Sequence, residues 1–427
     1  MAAASCARLL DSTAAATVGL LGVVIIDPIG GRSGAGSNPA APRPGGTGGS
    51  RAVGPLNITL ASGEWVVTES TGTVQRIVAE SIDLSPEAVN PGFAGGRVSL
   101  IALNGAFYPG RLRLVARTDL GVTSFDIVET VPLETYLKGV VVKEMYPNWP
   151  LEAFRVQAIC ARSYALHERA RGIANAKPYD VEASQRDQAY SGATGNQRAI
   201  QAVESTRGIV LAFESSVLRA YYSSSCGGRS GGARDTWPIT RGFEYNLAAP
   251  IQAYSREFLC DRSSPQFKWV VQRDREELIK RLRAYGETNG MLIRKIENIS
   301  SLEVLRTAAT GRPSEYKIVE PGGRWFQLKA EDLRLACNTT APGLAPITSK
   351  DRVLSGDITI KATPAKTTGG AKPKSPVAGT VEISGRGFGH GVGMCQYCVK
   401  AMADRGDEWR KMTMLFYPGA EIVRAYK

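Results

Sequence analysis

From Leu56 to about Val128, apolar and polar residues alternate with a period of two in NITLASGEWVVTES, RIVAESIDL, GRVSLIALNG, RLRLVARTD and TSFDIVET. Gly and Asn turns separate these runs, so residues 56–128 predict short strands and a small N-terminal β-domain. The period then changes. VPLETYLKGVVVKEM carries apolar pairs at helical spacing, with Pro132 near a first-turn position. After a Pro-bounded turn, Tyr146 to Pro150, comes LEAFRVQAICARSYALHERARG, where Leu151, Phe154, Ala158, Ala161 and Ala165 recur at three and four. Gln157, Ala161 and Tyr164 share one face of this predicted helix, and Gly172 supplies its stop. A further helix, GNQRAIQAVESTRG, ends at Gly208, and LAFESSVLRAYY reads as a hairpin. Residues 278–340 again read as α/β, with RKIENISSLEVLRTAA and SEYKIVE as strands. The fold class expected is α+β, with a core from 129–245 and 379–427 and an inserted α/β lobe at 246–360.

The flanking segments differ in character. Ser12 to Ile26 is uncharged, and Arg8 supplies a thin positive region before it. That length suits the apolar part of a signal peptide and falls short of a spanning helix, the alternative being an ordinary buried strand or helix. Residues 1–30 therefore read as a leader, signal peptide or anchor, and 31–55 as a flexible Gly/Ser/Pro linker. A leader, a tether and a folded body suggest export to the periplasm or cell envelope, with membrane contact only through an uncleaved leader. KATPAKTTGGAKPKSP, within 361–378, reads as an exposed basic loop.

Composition narrows the classes. At 427 residues, 43% hydrophobic and 22% charged, wholesale disorder is excluded and two to three structural units are expected. The excess of 52 basic over 40 acidic side chains gives +12, a field that favours polyanions. Basic residues are not interleaved with aromatics in one stripe, so no nucleic-acid footprint emerges. With only His167 and His390, a His-rich metal site is excluded.

Three features carry candidate chemistry. Glu144 ends the apolar segment GVVVKEM beside Trp149, where apolar surroundings would raise the pKa of a general acid; the plain alternative is an exposed helix-end glutamate. GRGFGHGVGM, Gly385 to Met394, is followed by no Gly-Lys-Ser/Thr and fits G-x-G-x-x-G in no frame, so a nucleotide loop is excluded. Its alternating glycines suggest a backbone that another segment approaches closely, with His390 projecting from it. Finally, Cys395-x-x-Cys398 with Cys226 and Cys260 could complete a four-thiolate zinc site. One or two disulfides explain the same residues in an exported protein, and a redox pair is the third alternative.

Taken together, VPLETYLKGVVVKEMYPNWPLEAFRVQAICARSYAL, RGIVLAF…AYYSSSCGGRS and GRGFGHGVGMCQY…MLFYPGAEI resemble, in order, the motifs of the stage II sporulation protein D family (SpoIID/LytB). NGAFYPGRLRLVA fits its lead-in strands, and the resemblance spans about Leu56 to Lys427. It implies a SpoIID-like core with helices around an active-site cleft. It also implies a peptidoglycan lytic transglycosylase or, for some members, an enhancer of a cell-wall amidase. The family's catalytic glutamate falls on Glu144. Gln157, Arg162, Tyr164, Arg386, His390, Gln396 and Tyr397 match motif positions and are expected at the substrate, as Gly387, Gly389, Gly391, Gly393 and Met394 match the glycine-rich motif. Two departures stand out: Ser223 replaces a His common before the CGG-type turn, and Cys395 and Cys398 replace the usual Ser and Gly around the Gln-Tyr pair. No metal is required for the implied chemistry, so zinc, if held, would be structural. The partners implied are peptidoglycan strands and a cell-wall amidase.

Overall fold

The computed structural model describes residues 17–26, 56–69, 71–84, 89–90, 98–103, 106–117, 124–364 and 379–427. The fold is α+β, with eight α-helices and several small sheets among the described residues. It divides into two compact units, one holding residues 1–149, 157–210 and 423–427 and the other 150–156 and 211–422.

In the first unit a five-stranded sheet runs in the order Val181–Glu182, Thr17–Ile26, Ser124–Pro132, Arg111–Arg117, Ser81–Leu84. Ser124–Pro132 is buried along most of its length and leads without a break into helix α1 (Leu133–Glu144). The N-terminal strands share one compact unit with the first helices, with no division near residue 128. Of the apolar stretch read as a leader, Thr17–Ile26 takes the strand alternative, pairing parallel with Ser124–Pro132; residues 1–16 and the linker 31–55 lie outside the described residues. No helix among the described residues is long and apolar enough to cross a membrane.

Helix α2 (Leu151–Ala174) and helix α3 (Gln197–Ser205) follow as the periodicity predicts. Asn196 caps α3 by accepting the Ala199 amide at 3.0 Å, satisfying one of the orphan donors of a helix start. Gly208 closes that region at φ +70°, where a Cβ would lie 1.9 Å from the Tyr426 carbonyl oxygen. One buried ion pair ties the helices together. The Arg162 guanidinium meets both oxygens of Glu134 at 2.9 and 2.8 Å and donates to the carbonyls of Val203 and Ile209 at 3.2 and 3.1 Å.

The second unit contains the α/β lobe. Lys268–Asp274, Gly379–Arg386 and Ile358–Pro364 form one antiparallel sheet, with Gly379–Arg386 central, and Ser301–Thr307, Pro313–Val319 and Trp325–Lys329 form another. Helices Arg275–Thr288 and Ala330–Asn338 pack with both sheets around Leu278, Leu282, Tyr316, Ile318, Leu333 and Ile383. Strand Gly379–Arg386, the first part of the 379–427 stretch, packs with the lobe. Its alternate residues Val381 and Ile383 are buried in the lobe's apolar centre. Of the basic loop, residues 361–364 complete a strand and 365–378 lie outside the described residues.

Candidate functional site

The predicted site residues fall in both units. Glu144, Gln157, Arg162 and Tyr164 belong to the first, and Arg386, His390, Gln396, Tyr397 and the four cysteines to the second.

Glu144 is the last residue of α1, and Met145 leaves the helix in extended conformation at φ −117°, ψ 145°. Its carboxylate is half-buried, with Oε1 accepting the Ala189 amide at 3.2 Å. The segment carrying that amide is fastened at several points. Asp187 accepts the Tyr164 hydroxyl at 3.0 Å and the Glu182 amide at 2.8 Å. Gln188 donates to the Ala161 carbonyl and accepts the Tyr136 hydroxyl, both at 3.2 Å. Ser191 donates to the Gly139 carbonyl at 3.2 Å. Gly139 makes this approach possible, because a Cβ there would lie 2.2 Å from the Gly192 carbonyl oxygen. The result is a fixed carboxylate at a helix end, with Tyr146 beyond it 45% exposed and its ring 5.3 Å from that of buried Trp149. A partly exposed aromatic face beside an oriented carboxyl suits a sugar ring and its bridging oxygen.

Gln157 and Arg162, which the motif match leads one to expect at the substrate, lie inside the first unit. Both are wholly buried, because α2 is enclosed on nearly all sides from Phe154 to Ala165 rather than on one face. Arg162 holds Glu134, and Tyr164, itself buried, holds Asp187. The residues missed at this site are Tyr136, Asp187 and Gln188. One signal pointed to them: a glycine inside the helical run of α1 is unfavourable relative to alanine and marks a close backbone approach.

Behind this network sits a second carboxylate, Glu129, fully buried in strand Ser124–Pro132. Its Oε1 accepts the Gly110 amide at 2.9 Å, and its Oε2 has no hydrogen-bond partner among the described residues. Burial pushes its pKa up to about 7, against the weaker opposing pull of the Gly110 amide and the neighbouring Tyr190. The folded state therefore holds this proton more tightly than the unfolded chain. The associated stability is fully present below the ordinary carboxylate pKa and is lost as pH rises through about 7. Urea unfolding should show a loss on the order of 3 kcal/mol between about pH 5 and pH 8, and Glu129→Gln should flatten that slope. An equally steep slope in the variant would assign the effect to another group.

In the second unit, Gly387, Gly389, Gly391 and Gly393 all have positive φ, between +67° and +92°. Their expected close neighbours are the segment Tyr221–Ser225 and Arg312. Cβ atoms would lie 2.4 Å from the Ser225 oxygen at Gly387, 2.8 Å from the Arg312 guanidinium carbon at Gly391 and 2.1 Å from the Tyr221 oxygen at Gly393. Ser223 accepts the Gly391 amide at 3.2 Å. Gly387→Ala is expected to destabilise the protein by roughly 3 kcal/mol, from left-handed strain plus overpacking, and to lower the thermal midpoint. An unchanged midpoint would mean that the loop shifts freely.

His390 is held by backbone. Nδ1 accepts the Val392 amide at 3.0 Å, and the ring also hydrogen-bonds the Tyr222 backbone. The ring stands edge-on to Trp237 at 4.8 Å, and burial lowers its pKa to about 4, so it is neutral at physiological pH. Gln396 and Tyr397 are buried, at the start of the helix Gln396–Asp404. Arg386 is different. With its guanidinium over the Phe267 ring at 5.4 Å, it lines an open groove of about 520 Å³ beside Arg229, Lys268, Trp269, Asp357 and Gly385. Gly385 leaves room for the Trp269 ring, which a Cβ would meet at 2.1 Å. Cys226, Cys260, Cys395 and Cys398 converge, all buried, with their sulphurs within 4.8 Å of one another. No disulfide links these four cysteines in the structure.

A family model described as stage II sporulation protein (SpoIID) matches residues 122–213, which hold Glu144 and the segment fastened beside it. An uncharacterized protein of Brachyspira hyodysenteriae is 29% identical over 323 residues, 75% of this chain and 73% of the relative. The amidase enhancer of Bacillus subtilis is 27% identical over 312 residues, 67% of this chain and 40% of that protein. The stage II sporulation protein D of Bacillus subtilis is 24% identical over 317 residues, 71% of this chain and 78% of the relative. The matched segment and these relatives make the chain similar to the stage II sporulation protein D (SpoIID) family.

Proposed function

We propose that this protein is a peptidoglycan-binding lytic transglycosylase of the cell envelope that cleaves MurNAc–GlcNAc bonds with Glu144 as its acid and base. The observation that carries the reading is the Glu144 carboxylate itself, half-buried at the end of α1, held through Oε1 and flanked by exposed Tyr146. A hydrolase needs two carboxylates, one to protonate the leaving oxygen and one to activate water. Intramolecular attack needs only one. Glu144 gives its proton to the glycosidic oxygen as the C1–O bond breaks. The muramyl C6 hydroxyl then bonds to C1 and returns a proton to the same carboxylate. Holding both reacting groups in one sugar supplies a high effective molarity, so no metal enters the chemistry. The +12 charge suits a glycan carrying lactyl and stem-peptide carboxylates, and Arg386 is the cation of the motif with an accessible groove.

A second reading is favoured by the similarity to the Bacillus subtilis amidase enhancer: the protein activates a cell-wall amidase without cutting glycan. Mass spectrometry of purified glycan strands after incubation separates the two. Ends carrying 1,6-anhydromuramyl residues support the transglycosylase, and reducing ends mean hydrolysis. No cleavage together with faster turnover by an added amidase transfers the function to activation.

A further inference from the structure

Four cysteines from three separate stretches of the second unit meet in one place. Cys226 lies in the turn Ser223–Gly228, Cys260 opens the short turn Cys260–Arg262, and Cys395 and Cys398 stand at the start of the helix Gln396–Asp404. All four are buried and their sulphurs lie within 4.8 Å of one another. Cys226 Sγ is 3.6 Å from Cys260 Sγ and 4.0 Å from Cys398 Sγ. A disulfide needs about 2.05 Å. A tetrahedron of sulphurs at about 2.3 Å from zinc has edges of about 3.8 Å. The separations match the second figure and not the first.

The surroundings suit thiolates. Cys395 occupies the N-cap position of its helix, where the macrodipole favours negative charge, and Cys398 lies three residues on, so both face the same side. The Cys226 amide points at Cys395 Sγ, 3.3 Å away. Gly227 and Gly228 turn the chain at φ +67° and +88° directly after the ligand. Arg312 donates to the Cys226 carbonyl at 2.9 Å, placing a cation against the cluster's backbone. Buried cysteines that serve only as small hydrophobes have no reason to converge. Cys160 and Cys337 are buried as well and stand outside the group.

We propose that Cys226, Cys260, Cys395 and Cys398 bind one zinc ion in a closed four-thiolate site. Binding releases the thiol protons to solvent and leaves no coordination position for substrate, so the ion is structural. Its effect is to lock the glycine-rich segment, through Cys395, to the turn after Ser223 and to the distant Cys260 turn. The inference is independent of the glycan reading, since metal content is read without any cleavage assay.

The test uses the full chain, purified without added reductant and without a metal-binding tag. Elemental analysis is expected to find about one zinc per chain. Exchange with cobalt should produce intense thiolate-to-cobalt charge-transfer absorption together with the visible bands of tetrahedral cobalt. Cys398→Ser should lose most of the zinc, and Cys337→Ala should keep it. Should Cys398→Ser fail to fold, the cobalt spectrum of the unmodified protein still decides the ligand set. Zinc-free protein with an intact mass lower by 2 or 4 Da would assign the cysteines to disulfides and overturn the proposal. So would iron in place of zinc, or a cobalt spectrum without thiolate bands.

Discussion

Glu144→Gln is expected to reduce glycan cleavage by about 10²- to 10⁴-fold, the usual contribution of a positioned general acid, while leaving the protein folded. The variant is suited to this purpose because Oε1 of Glu144 accepts the Ala189 amide, and a glutamine carbonyl oxygen can accept the same bond. Shape and the fastening of the 187–191 segment are kept, and only the exchangeable proton is lost. The check is the appearance rate of 1,6-anhydromuramyl ends, with thermal unfolding as the control for structure. In the proposed mechanism a single group serves as acid and then base, so both halves of the reaction should fail together. Replacing Asp187 instead should weaken activity only through the placement of Tyr164 and the neighbouring segment. A Glu144→Gln protein that still cuts at the original rate would remove this carboxylate from the mechanism.

Arg162→Met is expected to produce the largest loss of stability, about 3–5 kcal/mol. The guanidinium is fully buried and pairs with both oxygens of Glu134, which also accepts from the Tyr426 hydroxyl. Burial alone would push the Glu134 pKa up, but Arg162 and Tyr426 together hold it below the usual carboxylate range. Its contribution is therefore present above the ordinary carboxylate pKa and is lost only as pH falls through the depressed value. Removing the arginine leaves a carboxylate without its cation in an apolar setting, and two carbonyls lose their donor. The thermal midpoint should fall by roughly 10 °C. The double variant Arg162→Met/Glu134→Gln should recover part of the loss, since no buried charge then remains. A loss of substrate affinity at unchanged stability would return Arg162 to the binding surface.

These two residues show how legible the site was. Glu144 stood out locally through its helix-ending position and the Pro-bounded turn after it, and the motif order around it resembled a family in which that glutamate is catalytic. Arg162 belonged to the same motif, and a motif alone does not distinguish a residue that touches sugar from one that ties three elements together. Its partner Glu134 is 28 residues away on another helix. The enclosure of α2 was hidden for a related reason. Small residues such as Ala158, Ala161 and Ala165 read equally well as one apolar stripe or as close packing on every side.

Local chemistry by itself determined the helices α1 to α3, the hairpin after Leu211, the exclusion of a nucleotide loop and the need for close approach at the glycine-rich segment. Each depends on dihedral preference or on periodicity within a few residues. Only the tertiary structure decided that the N-terminal strands join the first helices, that both hydrogen-bonding sides of His390 face backbone, and that four cysteines share one centre. Cys226 and Cys398 are 172 residues apart, and spacing along a chain carries no record of which distant segments will meet. Packing settles that, because each segment must cover its apolar face and satisfy its buried polar groups against whatever the rest of the chain brings to it.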